Sequence, residues 1–331
     1  ATITKDGNKV IVTGEVSANA KTFALHLAGK KRQFGVESEV KLGLQSVELV
    51  LAIDISSSMK GARITEAKAS AKQFIKTLLE KPELDGRINI SIVPFGGTVK
   101  LPQLMSNMAL NPAALSDSNV KKHWMGGAWN GCYKLSPSDF IADLKPADEF
   151  NLIPDFYTWN SSNPWCPRNG SEFIPLTSDK TKLLNKIGML QLSDGTGTDH
   201  GLAWARANLS PDWQNHFPGG KTGLPMASSA DVQKIIVLMT DGGVTGQHKV
   251  LSKHLNGSLP YFTRGKVRYS NSQGYASFDA LCAKIKLKDN TTVFTIGYLM
   301  NNSSQVAKLQ ACAASPEHHY NSDSGELDEI F

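Results

Sequence analysis

No stretch of this chain is long and apolar enough to cross a bilayer, which takes about 20 such residues. No signal peptide opens it, and Ala1 stands where an initiator Met would, which fits a processed or excised piece. The four cysteines form no C-x-x-C pair, which argues against a zinc ribbon or a thioredoxin-like motif. The lysines are scattered, with no dense basic run beyond Lys30–Arg32, and the net charge is only +5 over 331 residues. A solvated face is therefore expected, and no nucleic-acid partner. The serines lack a G-x-S-x-G elbow and a matched histidine, so serine-hydrolase chemistry is not expected either. Charged residues at 20% and hydrophobic ones at 40% are ordinary for a globular chain, and the length allows one large domain or two.

What the sequence does hold is concentrated at the ends of two apolar runs. Val47–Met59, VELVLAIDISSSM, begins too continuously apolar for a strand with one wet face. Such runs mark strands buried on both sides, as in a parallel sheet between helices. The run then turns polar, with Asp54, Ser56 and Ser58 at alternate positions and Gly61 beyond. Lys234–Gly243, KIIVLMTDGG, repeats the plan, with Asp241 just past the apolar stretch. In open α/β sheets ligands bind outside the carboxyl ends of the strands. If the two strands are neighbours, Asp54 and Asp241 meet there, and two close carboxylates need either a proton or a cation between them. Asp194–Ala203, DGTGTDHGLA, adds a glycine-rich loop in which Thr196 or Thr198 can offer a hydroxyl before a helix. An all-oxygen set of this kind suits Mg²⁺ or Mn²⁺ better than zinc or copper. The plainer alternative is a pair of polar strand ends with ordinary Ser and Asp helix caps.

Around these loops the chain alternates between strand and helix. Residues 1–46 read as β, with Lys9–Val16, Thr22–Leu27 and Gly35–Leu44 as candidate strands. Too few residues lie there for an independent core, so they must pack on something else. Helices are expected over Ala62–Glu80, Ser178–Leu190, Gly201–Leu209, Phe278–Leu287 and Ser304–Ala314. Further strands are expected at Arg87–Val93, ending at Pro94, and at Thr291–Leu299, and the end, from His318, reads as a short strand and a clipped helix. Residues 243–274 read as a loose polar span. From about 101 to 171 the periodicity disappears and aromatics accumulate, among them Trp124, Trp129, Tyr133, Phe140, Phe150, Phe156, Tyr157, Trp159 and Trp165. That content argues against disorder and for an inserted subdomain packing beside the N-terminal strands, its aromatics serving core packing more than recognition. The expected architecture is a doubly wound, mostly parallel α/β domain, residues 47–100 and 172–331. It carries a β-rich segment, 1–46, and the irregular insertion 101–171.

The cysteines fall into two local pairs, Cys132 with Cys166 and Cys282 with Cys312. Disulfides closing loops of this size would each contribute about 3–4 kcal/mol in the chain-entropy account. They would place the chain in an oxidising compartment; the alternative is four buried thiols in a reducing one. His318 and His319 beside Asp323 match no standard zinc spacing and read as surface histidines.

Asp54, Ser56 and Ser58, a loop threonine and the T-D-G aspartate Asp241 resemble the von Willebrand factor A (VWA) domain and its metal-ion-dependent adhesion site. In that family the ligating threonine typically precedes a Gly-Leu pair by five positions, which selects Thr196 over Thr198. The resemblance implies a bound Mg²⁺, Mn²⁺ or Ca²⁺ held by Asp54, Ser56, Ser58, Thr196 and Asp241. It also implies a protein partner that contributes an acidic side chain. Further stretches, TGTDHGLAWARANLSP, the W-x-G-C segment Trp129–Cys132, IPLTSDK at Ile174–Lys180 and LQACAASPEHHYNSDSGEL, resemble the TadG-like proteins of Tad/Flp pilus assembly. That likeness implies tight adherence and a place in the periplasm or cell envelope, anchored to the inner membrane by a helix absent here. No catalytic activity is expected. A haloacid-dehalogenase-like phosphatase would need a second Asp where Ser56 stands. The rival reading is a structural envelope domain with a vestigial metal site.

Overall fold

The computed structural model describes residues 2–6, 9–13, 45–84, 86–102, 131–135, 140, 143–144, 153–154, 165–248 and 267–322. Strands β1 (Thr2–Asp6) and β2 (Lys9–Thr13) form an antiparallel hairpin. The candidate strands Thr22–Leu27 and Gly35–Leu44 lie outside the described residues. Then follow β3 (Ser46–Asp54), α1 (Ala62–Leu79), β4 (Ile88–Phe95), the short pair β5 (Tyr133–Lys134) and β6 (Ile153–Pro154), and β7 (Ile174–Thr177). Next are α2 (Lys180–Met189), α3 (Thr198–Ala207), β8 (Val232–Thr240), and the small antiparallel pair β9 (Gln247–His248) and β10 (Val267–Tyr269). The described part ends with α4 (Asn271–Lys288), β11 (Thr291–Tyr298), α5 (Ser303–Cys312) and β12 (His319–Ser322).

Six strands form one sheet in the order β12-β11-β8-β3-β4-β7. All neighbours are parallel except the edge pair β4 and β7. The sheet is doubly wound, as expected. Leu49, Leu51 and Ile53 of β3 face a cluster with Phe74 and Ile75 of α1 and Leu183 and Ile187 of α2. Val50 and Ala52 face the other side, with Trp204 of α3, Phe278 and Ile285 of α4 and Leu309 of α5. Both faces are covered, and so the runs are continuous rather than alternating.

The boundaries that differ from expectation have local causes. β4 does not stop at Pro94 but runs through it. Phe95 turns its carbonyl to β3, accepting from the Ile55 N–H, so Pro94 points to the opposite side. There the pairing with β7 has already ended at Ile92, and the missing N–H costs no ladder bond. β7 is an unexpected strand, four residues at the sheet edge with Pro175 inside it. α4 starts seven residues earlier than its apolar spacing suggests, because Ser270 and Gln273 form a reciprocal capping box. α3 starts at Thr198, three residues early.

The described parts of the insertion dock onto the α/β core. Lys100 bridges Cys132, Leu101 donates to the Gly131 carbonyl, and Leu135, Phe140 and Leu144 enter the cluster around Trp204. The Trp213 indole N–H donates to the Leu144 carbonyl at 2.6 Å. Both cysteine pairs are bonded as expected, Cys132–Cys166 and Cys282–Cys312, with Cα–Cα distances of 5.9 and 5.0 Å. No described helix is long and apolar enough to cross a membrane.

One feature of the core escapes a reading by apolar runs. Glu48 and Lys234 sit level with one another on β3 and β8, 0% and 2% exposed, with 3.5 Å between Nζ and Oε2. Lys234 also donates to the Leu209 and Met226 carbonyls, and the Met226 N–H donates to Glu48 Oε1. Burial pushes the Glu48 carboxyl up and the Lys234 ammonium down from their ordinary ranges. Breaking such a pair strands a charge, whereas replacing both members with apolar groups can be neutral. Glu48→Ala should therefore cost about 3–5 kcal/mol in chemical denaturation. Glu48→Leu combined with Lys234→Met should lie close to the wild type. A double variant as unstable as the single one would disprove this account.

Candidate metal centre

The site is assembled at the carboxyl edge of the sheet from three chain crossings. At the end of β3, Asp54 is 0% exposed. Its Oδ1 accepts the Ser56 N–H at 2.7 Å, and its Oδ2 accepts the Thr240 hydroxyl, from the end of β8, at 2.6 Å. This turns the chain into a short 3₁₀ segment, Ser57–Met59, and then through Gly61, at φ 87°, into α1. The left-handed conformation at Gly61 is one that a β-carbon would strain. The turn brings the Ser56 and Ser58 hydroxyls to 2.8 Å from one another, and Ser58 donates to Asp241 Oδ1 at 2.7 Å. Asp54, Ser56, Ser58 and Asp241 are thus joined by neighbouring hydrogen bonds.

Thr196 arrives from the third crossing. Its carbonyl accepts the Thr245 N–H at 2.9 Å and its N–H donates to Thr245 Oγ1 at 2.8 Å, stitching its loop to the segment after β8. Thr196 Oγ1 lies 4.0 Å from where a Cβ on Gly242 would be, so the hydroxyl stands beside the Asp241–Gly242 turn. Thr198, the alternative donor, is the first residue of α3. Its buried hydroxyl has no hydrogen-bond partner.

The three loops are locked to one another by their backbones. Ser193 N–H donates to Ile55 O, Gly97 N–H to Asp194 O, and Gly197 N–H to Gly96 O. Such close approach needs glycine: a Cβ on Gly201 would enter the Phe95 ring, and one on Gly197 would come within 2.5 Å of the Gly97 carbonyl oxygen. Trp165, from the insertion, closes the arrangement from outside. Its ring lies on Gly97 and on Gly195, where a Cβ would come within 2.5 Å of it, and its carbonyl accepts the Ser193 hydroxyl. The next residue is Cys166, bonded to Cys132. The sequence showed Trp165 only as one aromatic among many; its neighbour in the disulfide was the signal that it is fixed in place.

Electrostatics explains why the arrangement is tense. Burial, then the charge of Asp241, push the Asp54 carboxyl up to about 7, against the pull of its hydrogen bonds. Asp241, its side chain fully buried, is neutralised from one side by Arg63, whose Nη1 is 2.6 Å from Oδ2. Asp194 adds a third carboxylate nearby and accepts the Ser57 hydroxyl at 3.1 Å. Among the described residues no group of three His, Cys, Asp or Glu side chains could hold a metal. The donor set gathered here is instead two carboxylates with neutral hydroxyls. Hard oxygen donors in incomplete number suit a hydrated divalent cation such as Mg²⁺ better than a softer metal. The residues present fit such an ion. His318 and His319 lie elsewhere, sharing hydrogen bonds with the Ser315 and Thr295 hydroxyls. Asp323 lies outside the described residues.

No family model and no curated protein sequence matches the chain. Among solved structures, it is similar to the pilus adhesin SpaC from Lactobacillus rhamnosus GG, at 15% identity and a TM-score of 0.48, over 87% of this chain. The chain spans 29% of the length of SpaC. It is also similar to the vWF domain of the type V pili tip protein Mfa5 from Porphyromonas gingivalis, at 17% identity and a TM-score of 0.47, over 86% of this chain and 92% of that one. A third similarity, at 13% identity and a TM-score of 0.39, is to proximal thread matrix protein 1 from the mussel byssus with a zinc-occupied MIDAS motif; it covers 87% of this chain and 45% of that one. At these TM-scores the likenesses carry no functional conclusion.

The raised Asp54 carboxyl has a signed consequence. Its protonated form contributes stability that is fully present below the ordinary value of 3.8 and is lost as pH rises through about 7. In chelator, the melting temperature of the wild type should fall relative to Asp54→Asn between pH 4 and pH 8. Melts across that range check it, and a constant difference would show that folding does not raise the Asp54 carboxyl above its ordinary value.

Proposed function

We propose that this chain is a VWA-type docking domain that binds a protein partner through one divalent cation, Mg²⁺ or a close substitute such as Mn²⁺ or Ca²⁺. The observation that carries the reading is the joining of Asp54, Ser56, Ser58 and Asp241 at the carboxyl ends of two adjacent parallel strands. A threonine hydroxyl stands beside the same turn. Caps alone would not bring two carboxylates together where they repel.

Asp54, Ser56, Ser58, Thr196 and Asp241 would hold the ion. Bound there, a hard cation supplies an electrophilic point that can accept an oxygen from a partner's acidic side chain. Asp54 would bring charge to the ion, and Ser58 keeps Asp241 oriented through its hydroxyl. Thr240 and the Ser56 N–H hold the Asp54 oxygens in place. The serines and threonine bring oxygens without further charge, and coordination positions left to water would let the ion take an oxygen from a partner. No nucleophile–base pair lies among these residues, and docking rather than catalysis is the reading. The two disulfides fit an oxidising compartment. With the TadG-like stretches of sequence, they support a place in the cell envelope and a role in pilus assembly or adherence.

Calorimetric titration with Mg²⁺ tests the reading. The wild type should bind one ion with heat that EDTA abolishes. Asp54→Ala should lose binding while keeping its circular dichroism spectrum, since it removes a repelling carboxylate. An Asp54→Ala variant that binds Mg²⁺ as the wild type does would end it.

A further inference from the structure

We propose that Arg63 is a built-in competitor of the divalent cation, a resident positive charge on Asp241 that sets how tightly the metal is held. The inference rests on the metal-binding reading above and adds to it a residue that belongs to no metal-ligand pattern.

Arg63 is the second residue of α1, directly after the Gly61 turn that ends the D-x-S-x-S loop. A cation in the first turn of a helix faces the positive end of the helix dipole and is unfavourable there. No acidic residue occupies that turn to offset it. The compensation comes from across the site: Nη1 donates to Asp241 Oδ2 at 2.6 Å and lies 3.5 Å from the Ser58 carbonyl oxygen. Both contacts are to residues of the candidate site. Asp241 then has one oxygen on the Ser58 hydroxyl and the other on the guanidinium, with its side chain fully buried.

A divalent ion arriving at this carboxylate meets a charge already half answered. It must either displace the guanidinium or sit within a few ångströms of it, and like charges that close repel. Arg63 can yield, because its side chain is 34% exposed and lies on the rim, with solvent to move into. The Arg63 guanidinium is also the compensating charge that the buried Asp241 carboxylate has within the fold. In sequence, a lone arginine at a helix start reads as part of a solvated face. Only the fold brings it to Asp241, 178 positions away.

The test is Mg²⁺ calorimetry on the full chain for wild type, Arg63→Gln, Arg63→Lys and Asp54→Ala. Arg63→Gln should bind at least tenfold more tightly than the wild type. Arg63→Lys, which keeps the charge, should stay within about threefold of it. Binding by Arg63→Gln where the wild type shows none supports the proposal equally. Wild-type binding that is lost in Asp54→Ala but unchanged or weakened in Arg63→Gln overturns this inference and leaves the docking reading intact. Absence of binding in both wild type and Arg63→Gln overturns both. Metal-free melting gives an independent measure that does not need metal at all. Arg63→Gln should melt lower than the wild type at pH 8 in EDTA, with Asp241 uncompensated, and an unchanged melt would count against the proposal.

Discussion

Asp54 ends β3 and Asp241 follows β8, its parallel neighbour, and the backbone gives them nowhere else to be. β3 and β8 are paired up to Ile53 and Met239, so the two carboxylates emerge at one edge, one strand apart. Both are buried, so their charges are screened less than they would be on an open surface. Everything around them answers that repulsion. Thr240 and the Ser56 N–H hold Asp54, Ser58 and Arg63 hold Asp241, and the hydroxyls between add donors without charge.

Much of this could be read from the sequence, for definite physical reasons. Parallel strands buried on both faces appear as continuous apolar runs, which is why Leu49–Ile53 and Ile235–Met239 are unmistakable. Side chains at alternate positions past such a run converge on one point, which made Asp54, Ser56 and Ser58 stand out together. Thr196 was separable from Thr198 only through the family spacing. The fold shows a physical difference between them: one stands beside the Asp241 turn and the other starts α3. What escaped was whatever depends on a distant partner. Glu48 and Lys234 are each an isolated charge in an apolar run, and nothing local says they meet. Arg63 carries no pattern at all. The start of α4 is set by a polar reciprocal cap, Ser270 with Gln273, invisible to an apolar period. The edge strand β7 is too short, and too interrupted by Pro175, to announce itself.

The insertion is tied to the site more closely than its irregular sequence suggests. Trp165 rests on Gly97 and Gly195, one residue before Thr196, and Cys166 fastens it to Cys132. Cys132 in turn is bridged to Lys100, on the chain leaving the Gly96–Gly97 turn. A side chain from one segment, two glycines from two others and a covalent bond therefore form a closed loop of constraints around the threonine crossing. Removing the aromatic would leave a hollow under that crossing, in a region where the backbones are already as near as glycine allows.

The charge pair at the foot of the sheet has a consequence for its top. Glu48 and Lys234 mark a level along β3 and β8 where a sliding error would be punished at once. Hydrophobic neighbours tolerate a shift of two residues, since leucine replaces valine or isoleucine with little loss. A buried carboxylate facing a methyl group does not. Six residues further along β3, roughly 20 Å at the usual rise per residue, stands Asp54. Its level against Thr240 depends on the same alignment. The ion pair works as a vernier mark: it fixes, from the far end, the offset at which two acids and three hydroxyls come level.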